Sequence, residues 1–287
     1  MEVDCEGCAG CCIDWRPLAA GSLDHERSGP YEPLDDAYNL VSLRREEVRG
    51  FVEAGLADAL TPRLWAGEGD GVTVDGIELA AIDGQPTFLI GLRHVPKPVG
   101  PFGQEPTWLS TCVFLDPETL QCRIHADDIY PATCRIYPGS NLLLDAETEC
   151  ERVEREHGGR RLLEADAPPD AEPMFGPGAL GTRVFAHPDP DRIEAAVARI
   201  RDGDATARDR AEFVAVAAAA SPGTVEIEAR FYEQTRERVF IADSWIGDAI
   251  EDWRRRAHTE VPDPSLAESI ETVRGAPTTS GWSDSSG

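Results

Sequence analysis

Lysine is almost missing from this chain: Lys97 is its only one, and the 27 basic residues face 53 acidic ones, for a formal net charge of −26. So negative a surface repels nucleic acid and anionic membranes, and neither is expected as a partner. The acids are spread along the chain rather than gathered in blocks, which fits adaptation to a salty cytosol. At 1 M salt the Debye length shrinks to about 3 Å and self-repulsion is screened. Also absent are an 18-residue apolar run and an N-terminal basic segment followed by an apolar one, so neither a membrane helix nor a signal peptide is expected. A cytoplasmic protein is the expectation. No P-loop, H-E-x-x-H motif, Ser-His-Asp order or recognisable methyl-donor site is present. Gly176 to Gly181 spells G-x-G-x-x-G, but Asp-Ala-Glu-Pro before it is no strand and Thr182 to Phe185 looks extended, so it reads as a loop.

What the chain does have is eight cysteines in two groups. Cys5, Cys8, Cys11 and Cys12 form C-x-x-C-x-x-C-C ahead of any recognisable helix or strand. Cys112, Cys122, Cys134 and Cys150 follow about a hundred residues later. Two residues between cysteines let a tight turn aim both sulfurs at one ion, as in zinc knuckles and iron–sulfur loops. The alternative is a disulfide framework, but a bridge between adjacent Cys11 and Cys12 would be strained, and in a reducing compartment clustered cysteines favour metal. Adjacent side chains diverge, so one of Cys11 and Cys12 bridges, or the two serve different ions. Four thiolates within eight residues cannot surround one tetrahedral ion without strain at that pair. Ligands drawn from both regions would avoid it.

The remaining pattern predicts local structure. The stretch from Ile13 to Tyr38 reads as an irregular wrap. A helix capped by Ser42 is expected to carry Leu43, Val48, Phe51 and Val52 on one face and stop at Gly55, with a further helical turn from Leu56 to Leu64. Apolar runs separated by Asp75-Gly76 and Asp83-Gly84 predict an antiparallel meander from Val72 to Leu92. Pro96, Pro98, Pro101 and Pro106 are expected to end it in a loop to Trp108. Proline-rich Pro168 to Pro177 reads as a linker. Three helices are expected beyond it: one opened by Asp189-Pro190 and ended at Gly203, one from Ala205 to Ala220, and one from Val225 to Ala257 with a break point at Asp243-Ser244.

These readings give an α+β protein whose irregular cysteine-rich, metal-centred domain at 1–160 contains the small meander. A linker at 161–181, an appended helical region at 182–262 and a disordered tail at 263–287 complete it.

The second cysteine group carries a resemblance. After C-x-x-C-x-x-C-C the chain continues with Cys112-Val-Phe-Leu-Asp116, Cys122-Arg-Ile-His125 and Tyr130-Pro-Ala-Thr-Cys134-Arg-Ile-Tyr-Pro138. That order resembles the YkgJ-like cysteine-cluster family, described as zinc- or iron-chelating domains, over roughly residues 1–160. A similar cysteine pattern occurs in the flagellin lysine N-methylases. His125 stands where the family usually has tyrosine, Tyr130-Pro131 replaces Arg-Pro, and the interval from Cys122 to Cys134 is two residues longer. The resemblance implies that all eight cysteines bind zinc or iron, with Cys150 as a further ligand after the C-R-x-F-P corner. Taken alone, Cys150 reads equally as a buried structural cysteine. Arg135 either donates to a sulfur or makes a surface salt bridge, and His125 is not needed as a ligand. Two functions stay open: a binding module whose metal is structural or stored, and an iron–sulfur-dependent enzyme of protein methyl transfer.

Overall fold

The computed structural model describes residues 1–21, 32–169, 173–176 and 178–279. In chain order its first elements are β1 (Glu2–Val3), α1 (Arg45–Glu53), β2 (Leu60–Leu64), β3 (Val72–Val74), β4 (Ile77–Leu79), β5 (Ala81–Ile82), β6 (Gln85–Leu92), β7 (His94–Val99) and β8 (Thr107–Cys112). There follow α2 (Ala132–Ile136), α3 (Gly139–Leu142), α4 (Glu149–His157), β9 (Leu162–Glu164) and β10 (Phe185–Ala186). The last are α5 (Glu194–Arg201), α6 (Ala207–Ala219), α7 (Ala229–Phe240), α8 (Trp245–Ala257) and α9 (Leu266–Ile270). The strands pair antiparallel in small sheets, so the protein is mixed α and β as expected. Among the described residues no helix is long and apolar enough to cross a membrane.

The chain divides into two units, one drawn from 1–24, 94–174 and 245–287, the other from 25–93 and 175–244. This differs from the contiguous division expected at 160, 181 and 262. The helices expected as an appended region are split between the two units, because α5, α6 and β10 pack with β2 and β6 of the meander unit, whereas α8 packs on β7.

In the meander unit the Asp-Gly pairs make the turns. Asp75 and Gly76 have φ of 50° and 76°, and Asp83 and Gly84 have 52° and 72°, the left-handed pair a two-residue hairpin needs. They join β3 to β4 and β5 to β6. β2 forms where a helical turn was expected, because pairing all five of its residues with β6 outweighs local preference; only Ala57–Ala59 keep a 3₁₀ turn. α1 starts at Arg45, and Ser42 does not cap it. Ser42 is instead buried, with its Oγ and carbonyl accepting from Arg183 at 2.8 and 2.9 Å, while Glu47 Oε2 takes the Arg44 N–H at 2.6 Å. α6 is apolar almost all round and buried, and Phe88 contacts Phe213 and Phe185 at centroid distances of 4.9 and 5.6 Å.

In the cysteine-bearing unit, β7 and β8 form a hairpin through the prolines that were expected to end regular structure. A two-stranded sheet leaves one edge of β7 without a ladder, and residues two apart present their backbone nitrogens to the same edge, so Pro96 and Pro98 are tolerated together. Val95, Lys97 and Val99 all point into the core. Lys97 is fully buried there: its Nζ donates to the carbonyls of Val113 and Leu115, both at 2.7 Å, and pairs with Glu271 Oε1 at 2.6 Å. Glu271 also accepts from Arg123 Nε at 2.8 Å and Trp253 Nε1 at 2.7 Å. The tail expected to be disordered from 263 is therefore ordered at least to 279, because Ile270 and Glu271 are core residues; 280–287, including Trp282, lie outside the described residues. So do 22–31 of the expected wrap and 170–172 and 177 of the expected linker.

Candidate metal centre

The first cysteine loop is pinned at both ends. β1 pairs with β9, and the Asp4 N–H donates to the Arg161 carbonyl at 2.7 Å. Between Cys5 and Cys8 the chain turns through Gly7 at φ 63°, closed by the Cys8 N–H on the Cys5 carbonyl at 3.1 Å. Gly10 lets the loop pack closely, because a Cβ there would lie 2.8 Å from Val153 Cγ2 on α4 and would force one of them to shift. That close approach holds the loop against the helix that carries Cys150 one turn earlier. A 3₁₀ turn, Gly10–Cys12, then presents Cys11 and Cys12, with their sulfurs 3.8 Å apart.

The chain next runs beside β8. Ile13 bridges Thr111 antiparallel, and the Asp14 N–H donates to the Ser110 carbonyl at 2.7 Å. The bridge joins the residue after Cys12 to the residue before Cys112, so the end of the first loop lies beside the first cysteine of the second group. From Cys112 the backbone folds over: the Leu115 N–H returns to the Cys112 carbonyl at 3.0 Å, Leu115 bridges Cys122, and the Arg123 N–H reaches the Phe114 carbonyl at 2.9 Å. The Asp116 carboxylate tightens the turn by accepting from the Glu118 and Thr119 N–H groups at 3.0 and 3.3 Å. Cys134 sits in α2 and Cys150 in the first turn of α4, whose N-cap Thr148 exchanges hydrogen bonds with Glu151.

Burial dominates the electrostatics of these sulfurs. It pushes the Cys5, Cys122 and Cys150 thiols up to about 12, helped by neighbouring thiolates: Cys11 and Cys8 for Cys5, Cys112 and Cys11 for Cys122, and Cys11, Cys5 and Cys8 for Cys150. Cys8 and Cys112 are raised for the same reason, opposed in part by Arg161 at Cys8 and by the Phe114 N–H and Lys97 at Cys112. Cys11 is lowered because Cys12 hydrogen-bonds to it, and Cys12 is raised by that same bond, by burial and by nearby Cys11, Cys112 and Cys134. Without a cation, then, nearly all of these groups hold their protons at neutral pH. A bound metal reverses that.

Several surrounding groups carry no motif of their own. Trp15 is fully buried and donates to Glu149 Oε2 at 2.9 Å, and the Glu149 N–H donates to the Tyr137 hydroxyl at 2.5 Å. Burial raises both Tyr130 and Tyr137, and thiolates add to it at each: Cys134 and Cys122 first at Tyr130, Cys11 and Cys150 at Tyr137. Arg135 lies over the Tyr130 ring at 5.9 Å and reaches the Tyr130 carbonyl at 3.4 Å, a different role from either of the two expected. His125 stands beside the same ring, at a centroid distance of 4.9 Å. Arg161, not singled out from the sequence, is the cation that hydrogen-bonds to Cys8. Its place becomes visible only once β9 is paired with β1.

All eight cysteines belong to one unit and none forms a disulfide. Among the described residues no group of three or more His, Cys, Asp or Glu side chains is drawn close enough to hold a metal ion. The sulfurs are gathered, but not in a coordination geometry.

No curated protein and no solved structure matches this chain. A family model does, across residues 1–283. The chain accordingly belongs to that family, described as a family of unknown function (DUF7531).

Proposed function

We propose that this protein is a metal-binding module whose cysteines, drawn from both groups, bind zinc or iron, the iron either alone or as an iron–sulfur cluster. The observation that carries it is the Ile13–Thr111 bridge, which pairs the residues next to Cys12 and Cys112 and so joins two cysteine groups a hundred residues apart in sequence. Donor type fits as well: eight buried or half-buried sulfurs, none in a disulfide, suit thiophilic metals. A structural metal also suits the first loop, where only a 3₁₀ turn is regular between Cys5 and Cys12. Loading requires side-chain rotation from the arrangement seen here, since no three donors yet converge. When bound, zinc would supply cross-linking of the two groups, and an iron–sulfur cluster would add electron transfer.

Purification without oxygen, followed by metal analysis and a visible spectrum, tests the proposal. Stoichiometric zinc with no colour, or iron with thiolate-to-iron absorption, is expected. A reduced, folded protein that contains no metal and takes up neither ion would overturn it.

A further inference from the structure

Building on the metal-binding reading above, we infer that the eight cysteines make two adjacent four-sulfur sites that meet at Cys11-Cys12. Cys5, Cys8, Cys11 and Cys150 form one, and Cys12, Cys112, Cys122 and Cys134 form the other. Number is the first reason. A tetrahedral thiolate ion takes four ligands, so eight donors in one unit are twice what one ion can use.

Backbone geometry supplies the partition. On one side, the Cys5–Cys8 turn and the Gly10 backbone lie against α4: a Cβ on Gly10 would sit 3.5 Å from Cys8 Sγ and 2.8 Å from Val153 Cγ2. Cys150, three residues before Val153, shares that face of the helix. On the other side, the Ile13–Thr111 bridge brings the neighbours of Cys12 and Cys112 together, and the Leu115–Cys122 bridge turns Cys122 back towards Cys112. Electrostatic neighbours separate the outer cysteines the same way, with Cys11 at the boundary, felt by Cys5 and Cys150 on one side and by Cys112 and Cys122 on the other. Cys150 feels Cys5 and Cys8 besides Cys11, whereas Cys12 feels Cys112 and Cys134. Tyr130 feels Cys134, Cys122 and Cys12 as well as Cys11.

Cys11 and Cys12 are the hinge of this division. Their sulfurs are 3.8 Å apart, close enough for two ions on either side to share a boundary while each ion keeps its own quartet.

Cobalt(II) and zinc(II) titrations of the full reduced chain decide the matter. Cobalt held by four thiolates absorbs in the visible, so each site reports its own filling. Two equivalents per chain are expected, with Cys150→Ser and Cys122→Ser each lowering the count to one and the double variant to none. Saturation at one equivalent, or loss of both ions from either single variant while the chain stays folded, would overturn the two-site arrangement but leave metal binding standing. No uptake by the unsubstituted chain would remove the metal-binding reading itself. Should a variant fail to fold, the wild-type count of two against one still decides.

Discussion

The two units build their interiors from different chemistry. In the meander unit α6 buries Phe213, Val214 and Val216 against the Phe88 face of β6, and helix and sheet satisfy most of the backbone there. In the cysteine unit the interior combines apolar packing around Trp15, Phe114 and Trp253 with sulfurs and a buried lysine paired to a carboxylate. Apolar packing needs nothing from outside the chain, whereas buried charges must be paired and buried thiols stay protonated until a cation arrives. The first unit should therefore be indifferent to metal and sensitive to lost volume. The second should depend on metal as well as on its packing.

Metal removal is the strongest test of that contrast. Structural zinc contributes on the order of 10 kcal/mol in small domains. Chelation under anaerobic conditions should strip hydrogen-exchange protection from β8 and α4 while β6 and α6 keep theirs. Equal loss in both units would break the comparison.

Next in size come two substitutions of similar cost. Glu271→Gln leaves Lys97 and Arg123 buried with their shared carboxylate gone, which should lower unfolding free energy by about 3–5 kcal/mol. Combining Lys97→Met with Glu271→Gln should cost less than the sum of the two single variants, and strict additivity would contradict the pairing. In the other unit Phe213→Ala should cost about 3–5 kcal/mol through the cavity it leaves, read by urea denaturation.

The smallest effect concerns pH. Burial would raise the Glu212 carboxyl, but nearby His187, the Tyr232 hydroxyl and the charge of Arg192 hold it below its ordinary value. The Tyr232 hydroxyl donates to it at 2.6 Å. A depressed folded-state value means that the group contributes stability above its unfolded pKa of about 4.3, and that this is lost as pH falls through the folded value. Glu212→Gln should thus flatten the acid limb of stability between about pH 5 and 3. An unchanged limb would show that Glu212 has no part in acid unfolding.

Local chemistry made part of this molecule legible in advance. Asp75-Gly76 and Asp83-Gly84 specify their turns because few other pairs accept two successive left-handed residues, and the break at Asp243-Ser244 falls between α7 and α8. Cysteine spacing marked the candidate site because C-x-x-C is a short-range geometry. Lys97 as a core residue was not legible. An isolated lysine between two valines gains its place only from Glu271, 174 residues further on, and from carbonyls beyond β8. β2 was misread because its partner strand, not its own residues, makes it extended.

By itself the sequence determined what depends on neighbouring residues: tight turns, apolar helix faces, an acidic surface and a supply of sulfur donors. Tertiary structure alone decided which distant segments share a unit, that the final helices complete the cysteine unit, and that Ile13 pairs with Thr111 while the Cys8 loop approaches α4, which carries Cys150. The physical reason is one of range. Turn and helix preferences act over a few residues, but strand register and the pairing of buried charges are settled between segments a hundred or more residues apart, where no local pattern records the partner.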